Sequence, residues 1–324
     1  MKLPRSLRRC RALLALACAW PALALAQAGP RVDVPQLDYG LRARELASGV
    51  YVVEGANADF SVANGCNIIN TGFIATGAGV IVINTGPSRR YGEQLRALIA
   101  RTTDQPVVQV VHLNLHPDYF LGNQAFADVP RLATPATRAG IAREAKAYED
   151  NLYRLCGDWM KGTETLPPSA DLAPGVVRVG EHEIETLELQ GHTGSDLVLI
   201  DRTRGVVFAG GLVFAQRIPT TPHANVAAWQ TSLRTLARLP YATLVPSHGV
   251  VSGDASGIAQ TQRYLAWLDA SFGRAAERGL EMNEVLHMPV PDEFARWAAF
   301  GTEFTRNVAH LYPRYEQQAL GARR

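Results

Sequence analysis

The chain has 324 residues, of which 47% are hydrophobic and 19% charged, and its formal net charge is +2. This length and composition suffice for one large domain or two modest ones with a real hydrophobic core. A charge this close to neutral, with no basic stripe along the sequence, argues against a nucleic-acid-binding protein.

Residues 1–26 have the pattern of a cleavable export signal. A start with five Lys or Arg residues precedes the apolar stretch 12–25, and small residues end that stretch. We therefore expect cleavage between Ala26 and Gln27, a periplasmic location, and no membrane attachment afterwards, since the apolar stretch is short for a span. Cleavage leaves 27 basic and 30 acidic residues, so the net charge of the mature chain is −3.

The first half of the mature chain alternates short strands with helices. A polar lead-in over 27–40 precedes strands that apolar runs between Gly- and Asn-rich turns predict over 41–46, 50–54, 66–71 and 80–84. Apolar residues at helical spacing predict a helix over 90–101, and the β-branched run 107–111 predicts a buried strand. A helix over 137–161, with the loop to residue 173, is expected to form an insertion over one end of the fold.

The second half repeats this order of elements without repeating the sequence. Strands are predicted over 176–179, 183–189, 196–201, 206–209 and 243–245. Helices are predicted over 227–239 and 255–279, and the tail from residue 282 is largely helical. Strands followed by helices, twice over, predict two sheets packed face to face with helices outside.

A polar segment follows the strand at 107–111. In the sequence VVHLNLHPDYF, His116 and Asp118 supply an imidazole and a carboxylate on either side of Pro117. Such a pair on a stiff loop suits a divalent metal. Taken alone, the three residues are equally typical of a turn.

Three further motifs end strands in the second half. They are Gly-His-Thr at His192, Ala-Gly-Gly ending at Gly211, and Ser-His-Gly at His248. A single histidine at a strand end usually satisfies local hydrogen bonds. In this order, with each motif at a strand terminus, the set is far more specific.

Together these motifs resemble those of the metallo-β-lactamase superfamily, over residues 46–253. The resemblance implies an α/β fold, a four-layer αβ/βα sandwich over 41–253, with a helical C-terminal extension over 254–324 packed on it. It also implies a site for one or two metal ions along the sheet edges. The stretches NTGPSRRYGE (84–93) and TRNVAHLY (305–312) are similar to an exported branch linked to sulfur oxidation, the quinoprotein relay system zinc metallohydrolases.

The metal signature of the family is incomplete here. Four of its seven ligand positions carry the family residue, and the resemblance makes them the expected metal ligands: His116, Asp118, His192 and His248. The three other ligand positions are changed and carry Asn114, Tyr119 and Gly211. The family residue at the position of Gly211 is the bridging aspartate. A supporting aspartate of the family is also replaced, by Asn84. Two protein ligands per metal should hold neither ion tightly, so we expect one zinc ion, on which the four remaining ligands converge, or none.

Two other histidines near these motifs need separate treatment. His112 lies two residues before Asn114, on the same face of an extended strand. It is therefore a candidate to compensate for the lost histidine, with a packed core histidine as the alternative. His223 precedes a predicted helix, on a loop that often approaches the site in the family that the motifs resemble. A helix-capping neighbourhood is the alternative that we favour.

Two functions follow from this sequence. In the first, the protein is an exported metal-dependent hydrolase of a small-molecule substrate, in which the metal lowers the pKa of a bound water and Asp118 orients that water or acts as the base. In the second, it is a non-catalytic periplasmic binding or accessory protein on the same fold. Either could serve a pathway of dehydrogenases dependent on pyrroloquinoline quinone, with a periplasmic quinoprotein or cytochrome as partner. Cys66 and Cys156, which remain after signal cleavage, either form a disulfide or stay free.

Overall fold

The computed structural model describes residues 37–322. The expected signal peptide, its cleavage site and most of the lead-in lie outside the described residues. Two β-sheets pack face to face with helices on their outer faces, which confirms the predicted αβ/βα sandwich with C-terminal helices. Within residues 37–322, no helix combines the length and the apolar character that a membrane span requires.

The first sheet has seven strands in chain order. They are β1 (Arg44–Ala47), β2 (Val50–Val53), β3 (Thr71–Ala75), β4 (Val80–Ile83), β5 (Val107–Val111), β6 (Arg131–Ala133) and β7 (Ala170–Asp171). Strands β1 to β4 pair antiparallel, and β4 to β7 pair parallel. The strand predicted over 66–71 is wrong, because Cys66 has a φ of 63° and interrupts the extended backbone. β3 starts only at Thr71.

The second sheet has five strands in the order β12-β11-β10-β9-β8. They are β8 (Gly175–Val179), β9 (His182–Leu189), β10 (Asp196–Asp201), β11 (Val206–Phe208) and β12 (Thr243–Val245). Only β11 and β12 pair parallel. The predicted strands of this half therefore lie where the sequence pattern placed them.

Eight α-helices lie within the described part of the chain. They are α1 (Arg89–Thr102), α2 (Pro117–Phe120), α3 (Pro135–Cys156), α4 (Val226–Leu236), α5 (Ser256–Glu277), α6 (Met282–Leu286), α7 (Asp292–Ala295) and α8 (Phe300–Ala322). Helix α1 packs on the first sheet, and α4, α5 and α8 share a core with the second sheet. Side-chain caps begin several of them: Ser88 accepts from the Tyr91 amide in α1, and Thr134 from the Thr137 amide in α3.

Strand β4 shows how the layers are held together. Ile81 and Ile83 point into the interior between the two sheets, and Val80 and Val82 point towards α1. All four side chains are buried, because a central strand covered on both faces needs apolar residues at every position. Burying such a side chain contributes about 1.5–3 kcal/mol. These layers fix the positions of the strand ends, where the polar motifs lie.

A disulfide joins Cys66 to Cys156 and so decides between the two alternatives left open by the sequence. The two Cα atoms are 5.9 Å apart, although 90 positions separate the residues along the chain. Both cysteines are fully buried, and they share a small core with the C-terminal part of α3. The bond therefore ties the end of α3 to the loop before β3.

We predict that the double variant Cys66→Ala/Cys156→Ala loses about 3–5 kcal/mol of unfolding free energy, because a cross-link over so long a loop restricts the unfolded chain. Guanidinium unfolding with and without reductant measures this loss. The unfolding free energy of the double variant should not change with reductant, whereas that of the wild-type protein should fall towards the value of the double variant. Equal stability of the two proteins without reductant would contradict the prediction.

Candidate metal and ligand cleft

A cavity of about 310 Å³ lies beside the segments that follow β5 and β12. His116, Asp118 and His248 line it, and α3 and α8 contribute other parts of its wall. The His192 ring lies close by, with its centroid 4.6 Å from that of His116. The structure thus brings together the four residues expected as metal ligands, although their role as ligands stays a prediction.

The ends of β4 and β5 fix the first part of this cleft. Asn84 follows β4 with a φ of 59°, a left-handed conformation that asparagine tolerates better than most residues. Its side-chain oxygen accepts a hydrogen bond from the Leu113 amide, 3.0 Å away, just past the end of β5. His116 then begins the short helix α2, with Pro117 at its first position. The helix turn places Asp118 on the cavity wall.

Asp118 and His248 form a buried pair. The Nε2 atom of His248 lies 3.1 Å from Oδ2 of Asp118, and its Nδ1 lies 2.9 Å from the Ser247 hydroxyl. The ring stacks on Phe214, with 4.9 Å between centroids. Burial, and then the positive charge of Arg217, lower the pKa of His248 to about 4 despite the neighbouring carboxylate. The imidazole is therefore neutral at neutral pH.

His116 faces a second set of residues. Its Nε2 lies 3.1 Å from Nδ1 of His223, whose Nε2 lies 3.0 Å from Oε2 of Glu144 in α3. Burial, and then the proximity of His192 and His223, lower the pKa of His116 well below its usual value. His223 lies in the expected capping neighbourhood, since Asn225 caps α4 two residues later, and its ring also contacts His116 at the cleft.

Sequence reasoning missed Glu144, and it raised the approach of the His223 loop to the site only as the less favoured alternative. His223 precedes a helix at a strand-to-helix connection, which is a weak signal for a residue near a site. Glu144 had no signal at all, because it lies among the polar residues of an amphipathic helix.

Asn114, which the sequence resemblance aligns with the first histidine of the family, is held by hydrogen bonds. Its Nδ2 lies 2.6 Å from Oδ1 of Asp196 and 3.3 Å from Nδ1 of His192. The other ring nitrogen of His192 lies 3.1 Å from the Thr220 hydroxyl. Both nitrogens of His192 therefore have partners among the protein's own side chains.

Gly211 is the residue that the sequence resemblance aligns with the bridging aspartate, and the space beside it is filled. A Cβ added there would lie 2.0 Å from Nδ1 of His192 and 3.0 Å from Nδ2 of Asn114. No side chain fits at such distances without displacing the His192 ring. In the present packing, a side chain at position 211 would therefore clash with the His192 ring.

Tyr119 and His112, the two remaining candidate ligands, are buried. Burial raises the pKa of Tyr119 far above its usual value, so its phenol stays protonated and is a poor metal ligand. His112 is fully buried, and its Nδ1 lies 3.2 Å from the carbonyl oxygen of Tyr119. No hydrogen bond in the described part of the chain links the His112 ring to the four expected ligands, so its compensating role stays a prediction.

The side chains of the cleft can be tested against the metal centre of the family. A two-ion centre does not fit, because three ligands are replaced and the space at Gly211 is taken. The remaining three imidazoles and one carboxylate are ligand types that suit one zinc ion. As positioned, however, no three His, Cys, Asp or Glu side chains among residues 37–322 are grouped so as to hold an ion. The hypothesis of one ion rests on donor types rather than on positions.

Comparison with known proteins bears on the fold. The model of the metallo-beta-lactamase superfamily matches residues 64–248, which is more than half of the chain. Similar solved structures include a metallo-beta-lactamase from Pontibacter korlensis, with 22% identity and a TM-score of 0.57 over 70% of this chain and 99% of that one. The DIM-1 metallo-beta-lactamase exposed to ceftazidime has 18% identity and a TM-score of 0.55 over 70% and 97% of the two chains.

A metallo-beta-lactamase from Hirschia baltica has 17% identity and a TM-score of 0.54 over 69% of this chain and 97% of that one. At these identities the likeness to the three structures concerns the fold alone. No curated protein sequence is significantly similar to the chain.

We predict that Gly211→Asp and Gly211→Ala both lower the unfolding free energy, by about 1–3 kcal/mol for the alanine, because the added Cβ overpacks the site against His192. The aspartate should cost more, since it also buries a carboxylate. Chemical denaturation measures both losses. The matched control is Gly194→Ala, where a Cβ would meet no atom within 4 Å. A stable Gly211→Asp variant would show that the His192 ring moves aside freely.

A second prediction concerns acid stability. Burial lowers the pKa of His112 to about 4, whereas an unfolded histidine titrates near about 6.5. Between these two values the unfolded chain binds the proton and the folded chain does not, so stability falls as the pH falls from about 6.5 to 4. His112→Gln should make this fall shallower in denaturation measured across that range, and variation of the exposed His287 to Gln should not. Identical slopes in the two variants would contradict the prediction.

Proposed function

Because the chain belongs to the metallo-beta-lactamase superfamily, we propose that it is an exported hydrolase whose altered metal centre binds one zinc ion or none. Members of this superfamily are usually hydrolytic metalloenzymes. The observation that carries the proposal is the meeting in one cleft of four ligand-type side chains from three strand ends: His116, Asp118, His192 and His248. Buried ionisable groups with strongly shifted pKa values, collected in a cleft, are typical of functional sites.

A single ion would be held by those four side chains. When bound, it would lower the pKa of a water molecule and polarise the bond to be cleaved. Asp118 lines the cavity, beside His116 and His248, and would take the proton there. The cavity of about 310 Å³ has room for a small-molecule substrate.

Two observations support the proposed export to the periplasm. The Cys66–Cys156 disulfide needs an oxidising compartment to form and persist. Residues 1–26 have the composition of a signal peptide. The proposed quinoprotein or cytochrome partner rests on the sequence resemblance of 84–93 and 305–312 alone.

A second candidate is a non-catalytic binding or accessory protein on the same fold. It is favoured by the hydrogen bonds that already engage both ring nitrogens of His192 and both of His248. A metal would have to replace these bonds. A binding protein would keep them and use the cleft as it stands.

The metal content of the mature protein, purified without chelating resin, tests the proposed hydrolase. We expect about one zinc per chain in the wild type. The zinc should be lost in His116→Ala/His248→Ala, because that variant removes two of the four expected ligands. The control His287→Ala, on an exposed histidine outside the cleft, should keep the metal.

Metal found in the wild type alone would justify a substrate screen with thioesters, phosphoesters and lactones. Folded protein without metal, and without hydrolysis of any of these substrates, would overturn the hydrolase and leave the binding protein.

A further inference from the structure

A chain of hydrogen bonds runs from α3 into the cleft through two histidines. The hydroxyl of Tyr148 donates to Oε2 of Glu144 over 2.8 Å, and the same oxygen lies 3.0 Å from Nε2 of His223. Nδ1 of His223 then lies 3.1 Å from Nε2 of His116. The residues come from three separate segments: α3, the loop before α4, and the loop after β5. The chain therefore depends on the tertiary fold.

The direction of each hydrogen bond follows from the carboxylate. An ionised carboxylate only accepts hydrogen bonds, so Nε2 of His223 must carry the proton that faces Glu144. A neutral imidazole has one N–H, which leaves Nδ1 of His223 as an acceptor. Nε2 of His116 must then donate to it. The lone pair of the His116 ring is left on Nδ1.

The surroundings of Glu144 keep it in the ionised form that this chain needs. Burial acts to raise the pKa of Glu144, but hydrogen bonds from Tyr148 and Arg143 outweigh it and the pKa is lowered. Glu144 also lies on a helix that is fixed at both ends, by the Thr134 cap and by the disulfide of Cys156. A carboxylate on so rigid an element holds the imidazole that it bonds to in a defined orientation.

Within the described residues, the bond to His223 is the one hydrogen bond that the His116 ring makes. His116 also lines the cavity, whereas both ring nitrogens of His192 and of His248 have partners. We propose that Glu144 and His223 are positioning residues, which hold His116 in the Nε2–H tautomer and keep its Nδ1 lone pair for a ligand in the cleft. Such a ligand is a hydrogen-bond donor or a cation, because a lone pair binds nothing else.

This inference rests on the proposed function in one respect, namely that the cleft is used. The tautomer itself depends neither on a metal nor on hydrolysis. It can therefore be measured on the protein after treatment with a chelator, separately from the metal content.

The test is ¹⁵N NMR of the histidine rings of the mature protein at pH 8, above the ordinary imidazole pKa of about 6.5. Comparison with His116→Gln assigns the His116 signals among the eight histidines. We expect a protonated Nε2 and a bare Nδ1 for His116. In Glu144→Ala the two nitrogen shifts should move towards each other, because both tautomers become populated.

Two further variants separate positioning from a structural effect of the substitution. Glu144→Gln keeps an acceptor oxygen but adds an amide donor, so its shifts should lie between those of the wild type and those of Glu144→Ala. Asp150→Ala removes an exposed carboxylate from the same helix and should leave them unchanged. Should Glu144→Ala fail to fold, His223→Ala tests the same link one residue nearer the cleft.

The proposal is overturned if His116 carries its proton on Nδ1 in the wild type, a result that needs no stable variant. It is also overturned if the His116 shifts of Glu144→Ala match those of Asp150→Ala. Absence of metal from the wild type, with the predicted tautomer present, would count against the hydrolase and would leave the positioning role standing.

Discussion

The polar side chains at the ends of β5, β9 and β12 are buried, and this burial constrains the rest of the site. A buried polar group costs free energy unless it finds a partner. In this chain the partners are other side chains: Asp196 for Asn114, Thr220 for His192, and Asp118 for His248. The same layers of apolar residues that build the sandwich bury these groups, so the site cannot relax by turning its side chains to solvent.

The changed ligand positions depend on one another through this packing. Asn114 bonds to His192, and the His192 ring fills the space beside Gly211. A histidine at position 114 or an aspartate at position 211 would each have to displace a neighbouring side chain. The residue now present at the other position packs with that same side chain. Contacting residues of this kind are not additive in their energies. Asn114, His192 and Gly211 are therefore better understood as one packed unit than as independent positions.

The fold could be predicted from the sequence because its layers leave a clear apolar pattern. The pattern gave β4 and β5 closely, whereas β6 and β7 were missed, because each carries a charged residue, Arg131 or Asp171, and neither forms an apolar run. The strand at 66–71 was misplaced because nothing in the sequence shows that Cys66 adopts a positive φ. Spacing could not decide the disulfide, since pairing depends on a Cα distance that only the fold supplies.

The sequence predicted which residues come together at the cleft but not the contacts that they make there. The strand-end motifs indicated His116, Asp118, His192 and His248, and the structure gathers them in one cleft. Two contacts depend on the tertiary fold and leave no signal in the sequence. The His192 ring fills the space at position 211, and His223 contacts Glu144, 79 positions earlier.

The three cleft histidines differ in what their hydrogen bonds leave free. His192 and His248 are each engaged at both ring nitrogens, whereas His116 is engaged at Nε2 alone within the described structure. Among the three histidines expected as metal ligands, a ligand that enters the cavity can therefore reach a free imidazole nitrogen at His116 without breaking a bond, whereas at the other two it must replace one. Whether the protein hydrolyses a substrate or only binds one, the first contact of a donor or a cation is best made there. The helix α3 governs that contact, because its glutamate orients the histidine and its terminal cysteine fixes the helix.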